Sequence, residues 1–316
     1  MESIHQLFLE DETPENERLR LDADHWYETN LCNSSLFANL APEKIEGMQQ
    51  LVPGRLFTTR MPRDLVQDLG ERNDWLDKCK LNNLKVICVL TETHEFKQYS
   101  GMDNLIEFYE KECGLVVYNR SIPDFEIPTS GDLVNNVLDL TYHLSKGENC
   151  LIHCAGGTGR TGMVVAAIVK NFGVYDPVAR IRKVKSTYVE TIAQEQFLKN
   201  MPKALDSRIV HEKPTLALAI AGEHLIQVFY SHKSSVDKAV KNKAEVEKVE
   251  ETLQNLDKDE ETKLNKAYEQ VFDIVDLDND GALDKDELEV WFEMCGAEID
   301  AAKMLKFAEV KLNVFS

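Results

Sequence analysis

Three glycines separate a cysteine from an arginine and a threonine in the run His153-Cys154-Ala155-Gly156-Gly157-Thr158-Gly159-Arg160-Thr161, directly behind the apolar residues Cys150, Leu151 and Ile152. Glycines at that spacing let the backbone turn its N–H groups inward, and the helical pattern that follows begins with its positive end facing the same point. The cradle suits a phosphate. Its field also favours a thiolate, because helix N-termini and cationic neighbours bring cysteine pKa values from about 8.5 into the range of roughly 3.5–7.5. Cys154 is thus expected to be a nucleophile at neutral pH. Arg160, planar and always charged, is placed to fork onto two phosphoryl oxygens, and Thr161 can donate its hydroxyl to the sulfur when the thiolate leaves. A cysteine behind a buried strand is ordinarily a small hydrophobe, but that reading leaves His153, the glycines, Arg160 and Thr161 unexplained.

A second constellation lies far downstream. Asp276, Asp278 and Asp280 occupy positions 1, 3 and 5 of a twelve-residue loop, with Gly281 at 6, the Ala282 carbonyl at 7, Asp284 at 9 and Glu287 at 12. This is the complete oxygen-ligand pattern of an EF-hand calcium loop. Apolar residues at Leu264, Tyr268, Val271 and Val275 before it, and at Leu288, Trp291, Phe292 and Cys295 after it, supply two amphipathic helices. The segment "IDAAKMLKFAEVKLNVFS" resembles the entering helix of a second hand.

The elements that must position these groups read as alternating strands and helices. Residues 84–90, 115–118 and 150–153 are short apolar runs of buried-strand type. Between them Asp103 is expected to cap a helix ending near Gly114, and Leu133, Val137, Leu140 and Leu144 form one apolar stripe ahead of Gly147. That order implies a parallel sheet flanked by helices, with ligands bound beyond the carboxyl ends of its strands. The expected class is α/β with a second, all-α domain: an acidic extension over 1–50, a catalytic domain over 51–205, a helical linker over 206–261 and a calcium module over 262–316. In the linker, Val246, Val249, Leu253 and Leu256 make an a/d seam.

Charge divides along the same lines. The net charge of -19 comes from the flanks: residues 1–50 hold 11 acids and 3 bases, and residues 206–316 hold 25 acids and 14 bases. The balanced middle is left free to handle an anion, while acidic flanks argue against nucleic-acid or anionic-membrane partners. No apolar run approaches membrane-spanning length. The N-terminus lacks the basic-then-apolar form of a secretion signal, and the seven cysteines contain no CxxC pair. These features lead us to expect a reducing compartment, the cytosol or nucleus.

The sequence "HCAGGTGRT", with "PDFEIP" upstream, resembles the His-Cys-x5-Arg-Ser/Thr signature of the cysteine-dependent protein phosphatases. From about Pro53 to Leu205 the chain is similar to compact dual-specificity phosphatases, and most like the cyclin-dependent-kinase-associated subfamily in its paired glycines and Asp-x-x-x-Pro spacing. The resemblance implies a phosphocysteine on Cys154, with Asp124 protonating the leaving oxygen and then activating water. It implies that His153 orients the loop, that Ala155, Gly156, Gly157, Thr158 and Gly159 bind the phosphate, and that Gln194 (with Gln196 as a rival) positions the hydrolytic water. No cofactor is implied for catalysis, and calcium belongs to the EF-hand. The implied partner is a phosphoprotein carrying phosphotyrosine and phosphoserine or phosphothreonine, with a protein kinase among the candidates. The loop has no second basic residue, which disfavours a phosphoinositide substrate. A calcium-responsive phosphoprotein-binding scaffold is the rival of another class, and an EF-hand partner or a second copy is the candidate for any exposed EF-hand groove. Cys88 and Cys150 read as core residues, with Cys88 also a candidate disulfide partner of Cys154.

Overall fold

The computed structural model describes residues 26–31, 53–174, 176–201, 203–213, 216–225, 258–278 and 281–294. A five-stranded sheet runs in the order β1-β2-β5-β3-β4. Its strands are β1 Tyr27–Thr29, β2 Leu56–Arg60, β3 Leu84–Val89, β4 Val116–Asn119 and β5 Asn149–Cys154. Only the edge strand β1 is antiparallel to its neighbour; the β2–β5, β5–β3 and β3–β4 pairings are parallel. The three expected strands are present. β1 and β2 are additions, and β2 has the mixed polarity of "LFTTR", which hides it from a search for apolar runs.

Period-two alternation sends side chains to two layers. Leu56, Val86, Cys88, Cys150 and Ile152 share one core with the helices Ser130–Ser145 and Gly159–Asn171. Phe57, Ile87, Val89 and Leu151 share the other with the helices Leu69–Leu81, Thr93–Ser100 and Leu105–Lys111. Leu133, Val137, Leu140 and Leu144 are fully buried, as the stripe requires. The cap of the Leu105–Lys111 helix falls one residue later than expected: Asn104 Oδ1 accepts from Glu107 N–H at 3.2 Å. Asp103 pairs with Lys97 instead, at 2.7 Å.

Residues 206–213 and 216–225, assigned to a linker above, build onto the core. Ile209 and Val210 in the helix Ser207–Glu212, and Leu216, Ala217 and Ile220 in a helical stretch over 216–225, join the first layer. The helices Lys258–Val275 and Lys285–Met294 add Ala267, Val271, Val275, Leu288, Trp291 and Phe292 to that same layer. Within that layer Trp291 is 7 % exposed and Phe292 1 %. The seam at Val246 to Leu256, Cys295, the segment after Met294, residues 1–25 and the side chain of Leu264 lie outside the described residues. Among those described, no helix is long and apolar enough to cross a membrane.

Candidate active site

Cys154 ends the central strand β5, flanked by β2 and β3, where a parallel sheet leaves a crevice. The strand end is pinned on both sides: Met61 N–H donates to Cys154 O at 2.9 Å, and Leu90 N–H donates to His153 O at 3.0 Å. The loop then turns back on itself, and Gly157 N–H donates to Cys154 Sγ at 3.2 Å. Gly157 has φ +67°, and a Cβ there would sit 2.5 Å from Thr59 O, so the turn requires glycine. At Gly159 a Cβ would meet Glu190 Oε2 at 2.1 Å.

The helix Gly159–Asn171 starts without a side-chain cap. Its N-cap residue Thr158 instead donates its hydroxyl to Glu190 Oε1 at 2.9 Å, so the first-turn N–H groups stay available to an anion. Thr161 is fully buried, and its Oγ1 has no hydrogen-bond partner among the described residues. Lys185 Nζ donates to Gly157 O at 2.9 Å and braces the loop from below.

Arg160, expected to fork onto two phosphoryl oxygens, is already engaged by protein groups. It is 3 % exposed, and Glu95 holds it in a two-pronged ion pair of 2.8 and 2.9 Å, with Ile122 O accepting at 3.0 Å. Burial, the largest single influence, would lower the arginine pKa, but the Glu95 hydrogen bonds together with the charges of Cys154, Glu95 and Asp124 raise it overall. Burial, the largest single influence, would raise Glu95, but the Arg160 hydrogen bond and charge, with the backbone hydrogen bond at Glu92 and the charge of His94, together bring it below the usual carboxylate value. Asp124 Oδ1 lies 3.1 Å from Arg160 Nη2, with its side chain half exposed. The candidate acid thus stands at the mouth of the loop on the same guanidinium. The next residue, Phe125, is 67 % exposed with φ +61°.

His153 is fully buried; its Nε2 meets Tyr109 Oη at 2.9 Å and its Nδ1 meets Cys154 O at 3.2 Å. Burial pushes its pKa down to about 4, so it is neutral at physiological pH. Gln194 is fully buried, its Oε1 accepting from Glu190 N–H at 2.9 Å and its Nε2 without a partner among the described residues. That amide nitrogen lies 3.4 Å from where a Gly159 Cβ would stand, so it faces the loop. Gln196 is exposed on the other side of its helix. Cys88 lies beside β5 as expected, but its thiol donates to Asn136 Oδ1 at 3.5 Å, and both Cys88 and Cys154 are free. Burial pushes the Cys88 pKa up to about 12 and that of Cys150 well above its ordinary value. Glu95, Tyr109, Lys185 and Glu190 were missed by the sequence reading, because each acts from a distant segment with no local motif. The doubled acids of "TETHEF", placed just after a strand end, were the only available signal.

At the calcium pattern, oxygens of Asp276, Asp278 and Glu287 lie within 4.8 Å of one another. Asp276 and Glu287 are buried, and Gly281 takes φ +83°. Asp276 Oδ2 accepts from Gly281 N–H at 3.0 Å, and Glu287 and Asp284 cap each other at 2.9 Å. Ala282 and Asp284 are exposed alongside, and Asp280 lies outside the described residues.

The chain is similar to several known proteins. A family model described as "Polymorphic toxin system, DSP-PTPase phosphatase" matches residues 71–173. An uncharacterised protein of Methanocaldococcus jannaschii is 35% identical over 139 residues, covering 39% of this chain and 95% of the relative. Human Cyclin-dependent kinase inhibitor 3 is 25% identical over 144 residues, 46% of this chain and 59% of that protein. Among solved structures, kinase associated phosphatase (KAP) with its catalytic cysteine replaced by serine is 20% identical, covering 60% of this chain and 94% of that one at a TM-score of 0.44. Tk-PTP in its active form is 24% identical, covering 50% and 97% at a TM-score of 0.40. Through the segment that holds Cys154, Arg160 and Asp124, this chain belongs to the DSP-PTPase phosphatase family.

Proposed function

We propose that the chain is a protein phosphatase that hydrolyses phosphotyrosine and phosphoserine or phosphothreonine through a phosphocysteine on Cys154. The observation that carries this reading is one convergence at the end of β5. Cys154 Sγ, the Gly157 N–H at 3.2 Å, and an Arg160 guanidinium shared by Glu95 and Asp124 all face the same crevice.

In the first step Sγ attacks phosphorus, the bond from phosphorus to the ester oxygen breaks, and Asp124 gives its proton to that oxygen. In the second, water held by the Gln194 amide attacks the phosphocysteine, Asp124 takes the water's proton, and the thiolate leaves as Thr161 donates to it. Loop N–H groups and Arg160 stabilise the equatorial oxygens in both steps. Neutral His153, braced by Tyr109, keeps the Cys154 carbonyl and the loop entrance in place. The exposed side chains of Phe125 and Ile127 beside Asp124 offer an apolar rim suited to a peptide. The likeness to human Cyclin-dependent kinase inhibitor 3 favours a protein kinase among the substrates.

The oxygen donors of Asp276, Asp278 and Glu287 fit a calcium ion, which Asp280, Asp284 and the Ala282 carbonyl would complete. Calcium supplies no chemistry to the phosphoryl transfer. Hydrolysis of an aryl phosphate by wild type and by Cys154→Ser, each with and without calcium, tests the reading. Wild-type turnover that vanishes in the serine variant, with phosphate binding kept, is expected. Turnover retained by Cys154→Ser in a pure sample refutes the mechanism.

A further inference from the structure

The helical stretch 216–225 is buried on all sides. Leu216, Ala217, Leu218, Ala219, Ile220 and Ala221 are each 5 % exposed or less. A short helix with no wet face must be enclosed by two bodies, and its polar contacts identify both. On one side Trp291 Nε1–H donates to Leu218 O at 3.0 Å, from the exit helix of the calcium loop. On the other, His224 Nε2 meets Asn171 O at 2.9 Å, at the last residue of the helix that begins in the phosphate loop. Because that carbonyl only accepts, His224 carries its proton on Nε2. Its Nδ1 therefore accepts from Tyr268 Oη, 2.5 Å away on the entering helix. One imidazole thus ties all three elements.

We infer that residues 216–225 are the resident ligand of the groove between the helices Lys258–Val275 and Lys285–Met294, and that seating of this helix and calcium in the 276–287 loop favour one another. The inference rests on the calcium reading above. Trp291 follows Glu287 by one helical turn, so it lies on the same face as the twelfth loop position, while Val271 and Val275 lead directly into Asp276. A calcium-induced change in the angle of these two helices therefore acts on the side chains that grip 216–225. Any preference of calcium for the gripping geometry must return as an equal preference of the gripped geometry for calcium. The groove is occupied in cis, so the outcome of calcium binding is a tighter hold on the far end of the catalytic helix rather than release of an apolar face.

The test combines calcium titration calorimetry with hydrogen exchange on the full chain, and repeats the calorimetry on Ile220→Ala and His224→Gln. We expect calcium to slow amide exchange across 216–225, and each variant to bind calcium about fivefold more weakly or worse, the lower end of ordinary coupling. Calcium uptake with unchanged exchange over 216–225 overturns the inference, as does uptake by folded variants at wild-type affinity. If a variant fails to fold, the wild-type exchange still decides. No uptake by the wild type at millimolar calcium overturns the calcium reading itself, and the inference with it.

Discussion

Glu95→Gln isolates the contribution of the buried ion pair behind the phosphate loop. The substitution keeps the shape and one carbonyl acceptor but removes the charge opposite Arg160, which is 3 % exposed. Removing one partner of a buried pair costs about 3–5 kcal/mol, since the other charge is left without compensation. Asp124 remains 3.1 Å from Nη2 with half its side chain in solvent, so it recovers part of that. We expect the lower end, about 3 kcal/mol, or roughly 6–12 °C in Tm for a domain of this size. An oxyanion in the cradle would supply the missing negative charge. Saturating phosphate should therefore raise the Tm of Glu95→Gln by more than it raises that of wild type. Catalysis should suffer too, because a guanidinium released from its bidentate seat no longer points its remaining donors at the equatorial oxygens; about a tenfold loss in kcat/KM corresponds to 1.4 kcal/mol. Urea and thermal unfolding with and without phosphate, beside aryl phosphate kinetics, measure all three quantities. A variant within about 1 kcal/mol of wild type whose response to phosphate equals that of wild type would refute the reasoning.

Asp124→Ala should slow cleavage of aryl phosphates in proportion to leaving-group basicity and hardly affect very acidic leaving groups; equal slowing across a leaving-group series removes Asp124 as the acid. Gly157→Ala places a Cβ 2.5 Å from Thr59 O at φ +67°, and should destabilise by about 1–3 kcal/mol with loss of turnover, which unfolding curves and kinetics would report. Burial holds His153 at about 4 and His224 at about 3, below the ordinary 6.5. Above pH 6.5 neither the folded nor the unfolded chain protonates them; below it only the unfolded chain does, so stability is intact at neutral pH and falls with acid, by roughly 2 kcal/mol per histidine at pH 5. A flat urea-denaturation stability between pH 7 and 5 would contradict this.

The phosphate loop was legible because its chemistry is local. Cys154, the glycines, Arg160 and Thr161 lie within eight consecutive residues, and the strand before and helix after them follow from apolar pattern alone. The calcium pattern is legible for the same reason, its ligands falling within twelve residues. β2 was not legible, since Thr58 and Thr59 are buried among strands that lie far away in the chain. The cap fell on Asn104 rather than Asp103 because both neighbours are good capping residues and short-range propensity does not separate them.

Sequence by itself therefore determined the candidate reacting groups and the class of the central sheet, because both are written in contiguous spacing. Tertiary structure decided what surrounds them. Glu95 lies 65 residues from Arg160, Tyr109 44 from His153, and Asn171 53 from His224. Such pairs have no shared periodicity or motif to betray them. They meet only because two layers pack on one sheet and exclude water there, and this burial makes each buried polar group depend on its partner.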